Sequence, residues 1–237
     1  MKAKVVKRII RPDRKWIECF KTIPASVVCD CMNRLYGMRA EIVPLQEGTR
    51  VCGPAVTVQC MTAGNMMLHL ALTMVEAGDV LVADARGSTA NAVWGGIQTV
   101  FARKAGVAGL VVDGAVRDVA EIRELKFPVY CKGVTPAGPH KGWADNINVP
   151  VQCGGVPVHP GDLIVGDDDG VVVVPCEKVE EIYNLAVKRM EIESGWIESI
   201  ENGKNTLDAV GLREQLSQMD VEYIEEDTDN CRGGGAA

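Results

Sequence analysis

Histidine is scarce in this chain, a surplus of basic charge is absent, and no apolar run approaches the length of a membrane span. Three histidines scattered over 237 residues form no visible metal-ligand cluster. The net charge of −7 argues against a phosphate-neutralising surface, because nucleic-acid binding leaves a basic footprint. It leaves room for a local basic pocket that takes an anionic substrate. A membrane helix needs about 20 apolar residues in succession, and the basic start Met1 to Pro12 is broken by charges before a signal-like apolar region can form. Nine cysteines are odd in number and follow no secretory segment, so a disulfide framework is not expected and a reduced, cytoplasmic setting is. Cys29 and Cys31 lack a second pair or a neighbouring histidine, which makes them ordinary thiols rather than a zinc site. Neither a Walker lysine nor the three-glycine dinucleotide spacing is present.

What the chain does have is enough apolar content, 47% against 24% charged, to bury a sizeable core. After Pro24, the spacing of Val27, Val28, Cys31, Met32 and Leu35 predicts a helix that Gly37 ends. Residues 55–60 alternate as a strand, and Met66, Met67, Leu70, Ala71, Met74 and Val75 predict a helix stopped at Gly78. Then come a strand at 80–83, a loop through Gly87, a helix at about 90–105 ended by Gly106, and a strand at 110–113. A crossover of this kind makes the two strands parallel and brings the loops at their carboxyl ends to one sheet edge, where open α/β folds place their sites. Residues 84–98 and 113–118 are therefore expected to face one crevice. Short β-type runs at 128–131, 148–152, 156–159, 163–167 and 171–175 follow, with an Asp-Gly turn predicting a hairpin between the last two. A helix at about 177–200 and an acidic tail complete the chain, the last ten residues being expected to lack order.

The chemistry concentrates where a strand ends in Asp113-Gly114-Ala115-Val116-Arg117-Asp118. Arg117 offers a planar fork that holds a carboxylate through two hydrogen bonds, and Asp118 is a hard oxygen ligand suited to a magnesium-like ion. An exposed arginine beside a helix-capping aspartate accounts for the same pair. In the preceding loop, backbone amides of Gly95, Gly96, Ile97 and Gln98 could bind an anion, or the two glycines serve only close packing. His69 reads as a surface or hydrogen-bonded histidine, and His159, beside a Pro-Gly turn, as structural.

Several segments together resemble the RraA-like family: Gly53-Pro-Ala-Val-Thr57, Gly78-Asp-Val-Leu-Val82, Gly106 through Asp118, Gly154-Gly-Val156, Pro160-Gly-Asp162 and Asp167 through Pro175. The family contains 4-hydroxy-4-methyl-2-oxoglutarate / 4-carboxy-4-hydroxy-2-oxoadipate aldolases, a ribonuclease E regulator, and members labelled demethylmenaquinone methyltransferase. The resemblance implies a swivelling-type α/β domain at 22–190, a central sheet flanked by helices. An N-terminal segment at 1–21 precedes it, and a C-terminal helical extension at 191–237 follows. It implies assembly as a homotrimer or homohexamer, with sites between subunits. It further implies a carbon-carbon lyase, aldolase or decarboxylase, acting on small 2-oxo acids with Mg2+ or Mn2+ through a metal-stabilised pyruvate enolate. Asp118 would hold the metal, Arg117 the substrate, and the amides of Gly95, Gly96, Ile97 and Gln98 the pyruvoyl carboxylate. The aldolase pattern carries an aspartate where this chain has Gly96, so either another group serves as acid-base assistant, with His69, Asp84, Glu193 and Glu198 as candidates, or the activity differs from that of the named aldolases. The alternative is a non-catalytic regulator that binds a protein partner such as a ribonuclease. For methyl transfer, the sequence offers no glycine-rich cofactor loop after an early strand.

Overall fold

The computed structural model describes residues 2–224, so the expectation about the last ten residues lies outside the described residues. The chain forms two compact units, Met1–Arg189 and Met190–Ala237. In the first, α1 (Arg14–Phe20) and α2 (Ala25–Cys31) precede β1 (Val43–Pro44), β2 (Val51–Gln59), α3 (Met66–Ala71), β3 (Val80–Asp84) and β4 (Ala92–Trp94). There follow α4 (Gly96–Lys104), β5 (Gly109–Val116), α5 (Val119–Glu124), β6 (Val129–Val134), β7 (Val151–Cys153), β8 (Val156–Val158), β9 (Leu163–Asp167) and β10 (Gly170–Val174). The long helix α6 (Val179–Glu201) runs on into the second unit, which adds α7 (Thr206–Ala209) and α8 (Arg213–Ser217). No helix among the described residues is long and apolar enough to cross a membrane.

An eight-stranded sheet in the order β1-β6-β5-β3-β2-β9-β10, with β4 added to β5, organises the first unit. β2, β3, β5 and β6 are parallel, while β1, β9 and β10 join antiparallel. Side chains alternate across it: Val56, Val58, Leu81, Ala83, Leu110 and Val112 belong to one core, and Ala55, Val80, Val82 and Val111 to the other. Burial on both faces is why β3 and β5 read as almost unbroken apolar runs rather than as alternating ones. The expected α/β class, a central sheet flanked by helices and followed in sequence by a C-terminal helix, is the architecture observed.

The crossover from β3 to β5 is parallel as expected, with Val80 opposite Gly109 and Ala83 opposite Val112. Its helix is shorter than the predicted 90–105. Residues 92–94 instead form β4, because β5 runs beyond the end of β3 and leaves an edge for Ala92 and Trp94 to pair with Ala115 and Val116. The predicted helix through Leu35 stops at Cys31, since Asn33 and Arg34 turn left-handed at φ 54 and 63. The helix predicted through Val75 likewise ends at Ala71, and β2 starts earlier than predicted, at Val51. Gly53 in β2 has a packing reason: a Cβ there would lie 2.1 Å from the Gly78 carbonyl oxygen. The predicted run at 148–152 shrinks to β7, which starts only at Val151; before it, Asn148 takes φ 55 and donates from Nδ2 to the Val6 carbonyl.

Candidate active site

The site grows from the junction of β4 and α4. Trp94 is buried, stacks on Phe127 at 6.3 Å between ring centroids, and donates from its indole nitrogen to Thr99 Oγ1 at 2.7 Å. The Thr99 hydroxyl in turn donates to the Gly95 carbonyl at 3.0 Å. This chain of two bonds fixes the turn into α4, whose N-cap, Gly95, is extended and has no side chain to cap the helix. The amides of Gly96, Ile97 and Gln98 lie in the first turn, where no carbonyl stands one turn back to accept from them. They form the positive end of the helix, a place suited to an anion.

The end of β5 delivers the second half of the site. Arg117 N donates to the Trp94 carbonyl at 3.0 Å, so β4 sets where the arginine leaves the sheet. Asp118 follows in the left-handed conformation, φ 58 and ψ 41, at the N-cap of α5. Its carboxylate does not cap that helix; Oδ2 accepts instead from Gly96 N of α4 at 3.0 Å, with Arg117 Nε 3.5 Å away. The helix-capping reading of Asp118 is therefore not what the structure shows. Gly95 is needed for this approach, because a Cβ there would stand 2.5 Å from Asp118 Oδ2 and 3.1 Å from Arg117 Cγ.

Gly95, Ile97, Gln98, Arg117 and Asp118 line one pocket of about 120 Å³ together with Asn65, His69, Ala92, Trp94, Pro139 and Lys141. Asn65 and Gln98 are only 3% and 5% exposed, yet Asn65 Oδ1 and Gln98 Nε2 have no hydrogen-bond partner. Buried polar groups without a partner carry a desolvation cost that a bound ligand removes. His69 Nε2 is 3.4 Å from Asn65 Nδ2. Burial, then the charge of Lys141, push the His69 pKa below its ordinary value, so its imidazole is neutral at pH 7.

The structure brings together Arg117, Asp118 and the Gly95–Gln98 turn, and adds His69. Asp84 it sets apart, in a second cavity with Arg39, Arg86, Asp113 and Lys132. The single crevice expected for 84–98 and 113–118 is thus two, because β3 ends at Asp84 while β5 continues to Val116 alongside β4. Glu193 and Glu198 both lie on α6, in the second unit. Sequence reasoning missed Asn65 and Lys141, which sit in stretches without periodicity. It also missed Glu121, whose carboxylate lies against Gly96. A signal for Glu121 was available: three residues beyond Asp118, it shares a helix face with it.

No cluster of three or more His, Cys, Asp or Glu able to hold a metal occurs among the described residues. A magnesium-like ion does not require one, since it keeps several waters and takes one or two protein carboxylates alongside substrate oxygens. The hard carboxylate of Asp118, opening on the pocket, fits such an ion.

Fold and site together define an α/β domain that sets a helix N-terminus, an arginine and one carboxylate around a small anion-sized pocket. The chain belongs to the RraA-like family, described as Aldolase/RraA, whose pattern matches residues 25–173. It is 42% identical over 174 residues to a Halalkalibacterium halodurans protein named, provisionally, as a 4-hydroxy-4-methyl-2-oxoglutarate aldolase, covering 73% of this chain and 83% of that one. A solved structure from Pseudomonas syringae with no assigned function aligns with TM-score 0.74 at 27% identity, over 85% of this chain and all of that one. Streptomyces coelicolor RraAS2, described as an unusual member of the RNase ES inhibitor RraA family, aligns with TM-score 0.70 at 35% identity, over 78% and 97% of the two chains.

Proposed function

We propose that this chain is a divalent-metal-assisted carbon-carbon lyase, an aldolase or decarboxylase, of small 2-oxo acids. One observation carries the reading: the Asp118 carboxylate, released from capping its own helix, is held on the Gly96 amide beside Arg117, at the open N-terminus of α4. An Mg2+ or Mn2+ ion, held by Asp118, would supply the positive charge that draws electron density from the bond that breaks. Arg117 binds the substrate carboxylate in its fork, and the amides of Ile97 and Gln98 share that anion. Gln98 Nε2, buried and unpartnered, donates to a further substrate oxygen. The name of the Halalkalibacterium halodurans relative supports the same reaction class, and the proposal includes the trimeric or hexameric assembly that the family resemblance implies.

The test is release of pyruvate from oxaloacetate and from 4-hydroxy-4-methyl-2-oxoglutarate, followed with lactate dehydrogenase and NADH. Turnover should need Mg2+ or Mn2+, stop on chelation, and fall by about 100-fold or more in Asp118→Asn. Wild-type protein inert across a panel of 2-oxo acids would sink the proposal. A second reading, a regulator that binds a ribonuclease, rests on the likeness to Streptomyces coelicolor RraAS2. It predicts inhibition of a purified ribonuclease that Asp118→Asn leaves intact.

A further inference from the structure

The cavity that holds Asp84 takes no part in the site above. It measures about 440 Å³ and collects charges of both signs, Arg39 and Lys132 beside Asp84 and Asp113. The sheet sets the two carboxylates side by side: β3 and β5 are parallel neighbours, and each Asp stands one residue beyond the Ala83–Val112 pair. Backbone amides hold both. Asp84 accepts from Arg86 N at 2.9 Å and from the Gln152 amide, and Asp113 Oδ2 accepts from Gly154 N at 3.1 Å. The Arg86 guanidinium, also in the cavity wall, is occupied by Asp145 and the Cys60 carbonyl and pairs with neither. Burial chiefly, and the Asp113 charge in smaller part, raise the Asp84 pKa above its ordinary value, a cost that an incoming cationic group relieves.

The two cations line the same cavity without pairing with these carboxylates. Lys132 Nζ is 3.6 Å from Glu41. The Arg39 side chain lies over the Gly154-Gly155 turn, with Nε 2.6 Å from the point that a Gly155 Cβ would occupy, and its guanidinium has no partner among the described residues. Gly87, at φ 67, marks the gap between the signs. Chain neighbours aside, the point where a Cβ of residue 87 would stand has only two heavy atoms within 4 Å, Lys132 Nζ at 3.4 Å and Asp113 Oδ1 at 3.6 Å. A ligand of one sign suits such a cavity badly, because an anion meets Asp84 and Asp113 and a cation meets Arg39 and Lys132.

We infer that this cavity binds a small α-amino acid, its ammonium group on Asp84 and Asp113 and its carboxylate on Arg39 and Lys132. An amino acid carries its two charged groups on one carbon, and a cation and a carboxylate oxygen flank one point beside Gly87. Charge-assisted hydrogen bonds form at both ends, the fork of Arg39 being suited to a carboxylate. The site is separate from the pocket of Arg117 and Asp118, so the inference stands without the lyase reading.

Titration calorimetry on the full chain with glycine, L-alanine, L-serine and L-aspartate tests this. At least one should bind, and its counterparts lacking one charge, propionate and ethylamine in the case of L-alanine, should bind about 10-fold or more weaker. Arg39→Gln removes the charge of an exposed side chain, and Asp113→Asn keeps an acceptor for the Gly154 amide, so both should fold normally, as urea unfolding checks. Each should weaken the amino acid by about 10-fold or more, while Asp118→Asn leaves its affinity unchanged. Absence of binding across the panel overturns the inference. So does binding that propionate or ethylamine matches, which would make the cavity a site for one charge alone. Binding lost in Asp118→Asn and kept in Arg39→Gln would place the amino acid in the other pocket and overturn it as well.

Discussion

Asp118 combines two properties that few residue types allow at once. A left-handed backbone costs an ordinary L-residue about 1–2 kcal/mol, and Asp and Asn tolerate it best among side chains other than glycine. At φ 58, a hard oxygen ligand here has to be one of these short polar residues. Asp118→Asn should therefore keep stability within about 0.5 kcal/mol of wild type, and Asp118→Ala should lose roughly 1 kcal/mol more. Both should lose Mn2+ binding alike. Urea unfolding read beside calorimetry separates the two effects, and identical unfolding midpoints for the Asn and Ala variants would show that the conformation is not the constraint.

The element that carries the anion half of the site depends on one hydroxyl. Thr99 is fully buried and links the Trp94 indole to the Gly95 carbonyl, so it ties the strand, the N-cap and the first turn of α4 into one piece. Thr99→Val keeps the shape but leaves the indole N–H and the carbonyl without that partner. It should cost about 1–3 kcal/mol and raise KM for the 2-oxo acid, with Thr99→Ser recovering most of both. A Val variant with wild-type stability and KM would mean that the turn is held by packing alone.

The same element shows what was legible in the sequence. The β3 to β5 crossover, the β9–β10 hairpin and the Arg117-Asp118 step could be read from apolar runs, glycine punctuation and charge. β4 could not, because Ala92-Val93-Trp94 is a strand only through its pairing with Ala115 and Val116, a contact that local periodicity does not encode. Glu121 was legible only in part: its spacing from Asp118 puts the two on one helix face, but its position over Gly96 follows from how α4 and α5 meet. His69 was placed on the right helix, but its place in the pocket depends on Asn65 and Lys141, which lie in irregular stretches.

At the scale of the whole first unit, the N-terminal segment is fastened by Arg11, which pairs with the buried Asp79, and by backbone pairing of Val6 with Ile147. Arg11 donates from Nε and Nη2 to the two oxygens of Asp79 at 2.8 and 2.9 Å, and a further guanidinium nitrogen reaches Glu76 at 2.9 Å. Asp79 is 1% exposed and also accepts from the Glu76 amide at 2.7 Å, in the turn that launches β3. A carboxylate this buried tolerates its charge because the guanidinium answers it, so removing Arg11 strands the charge rather than merely deleting a contact. Arg11→Ala should destabilise the fold by about 3 kcal/mol. Arg11→Ala/Asp79→Asn should be less damaging than the single variant, because the second change removes the unpaired charge that the first creates. A double-mutant cycle in urea measures this. Additive losses would show that the two residues act independently, and that the segment is held instead by the burial of Phe20 and the bridge of Val5 to Ile147.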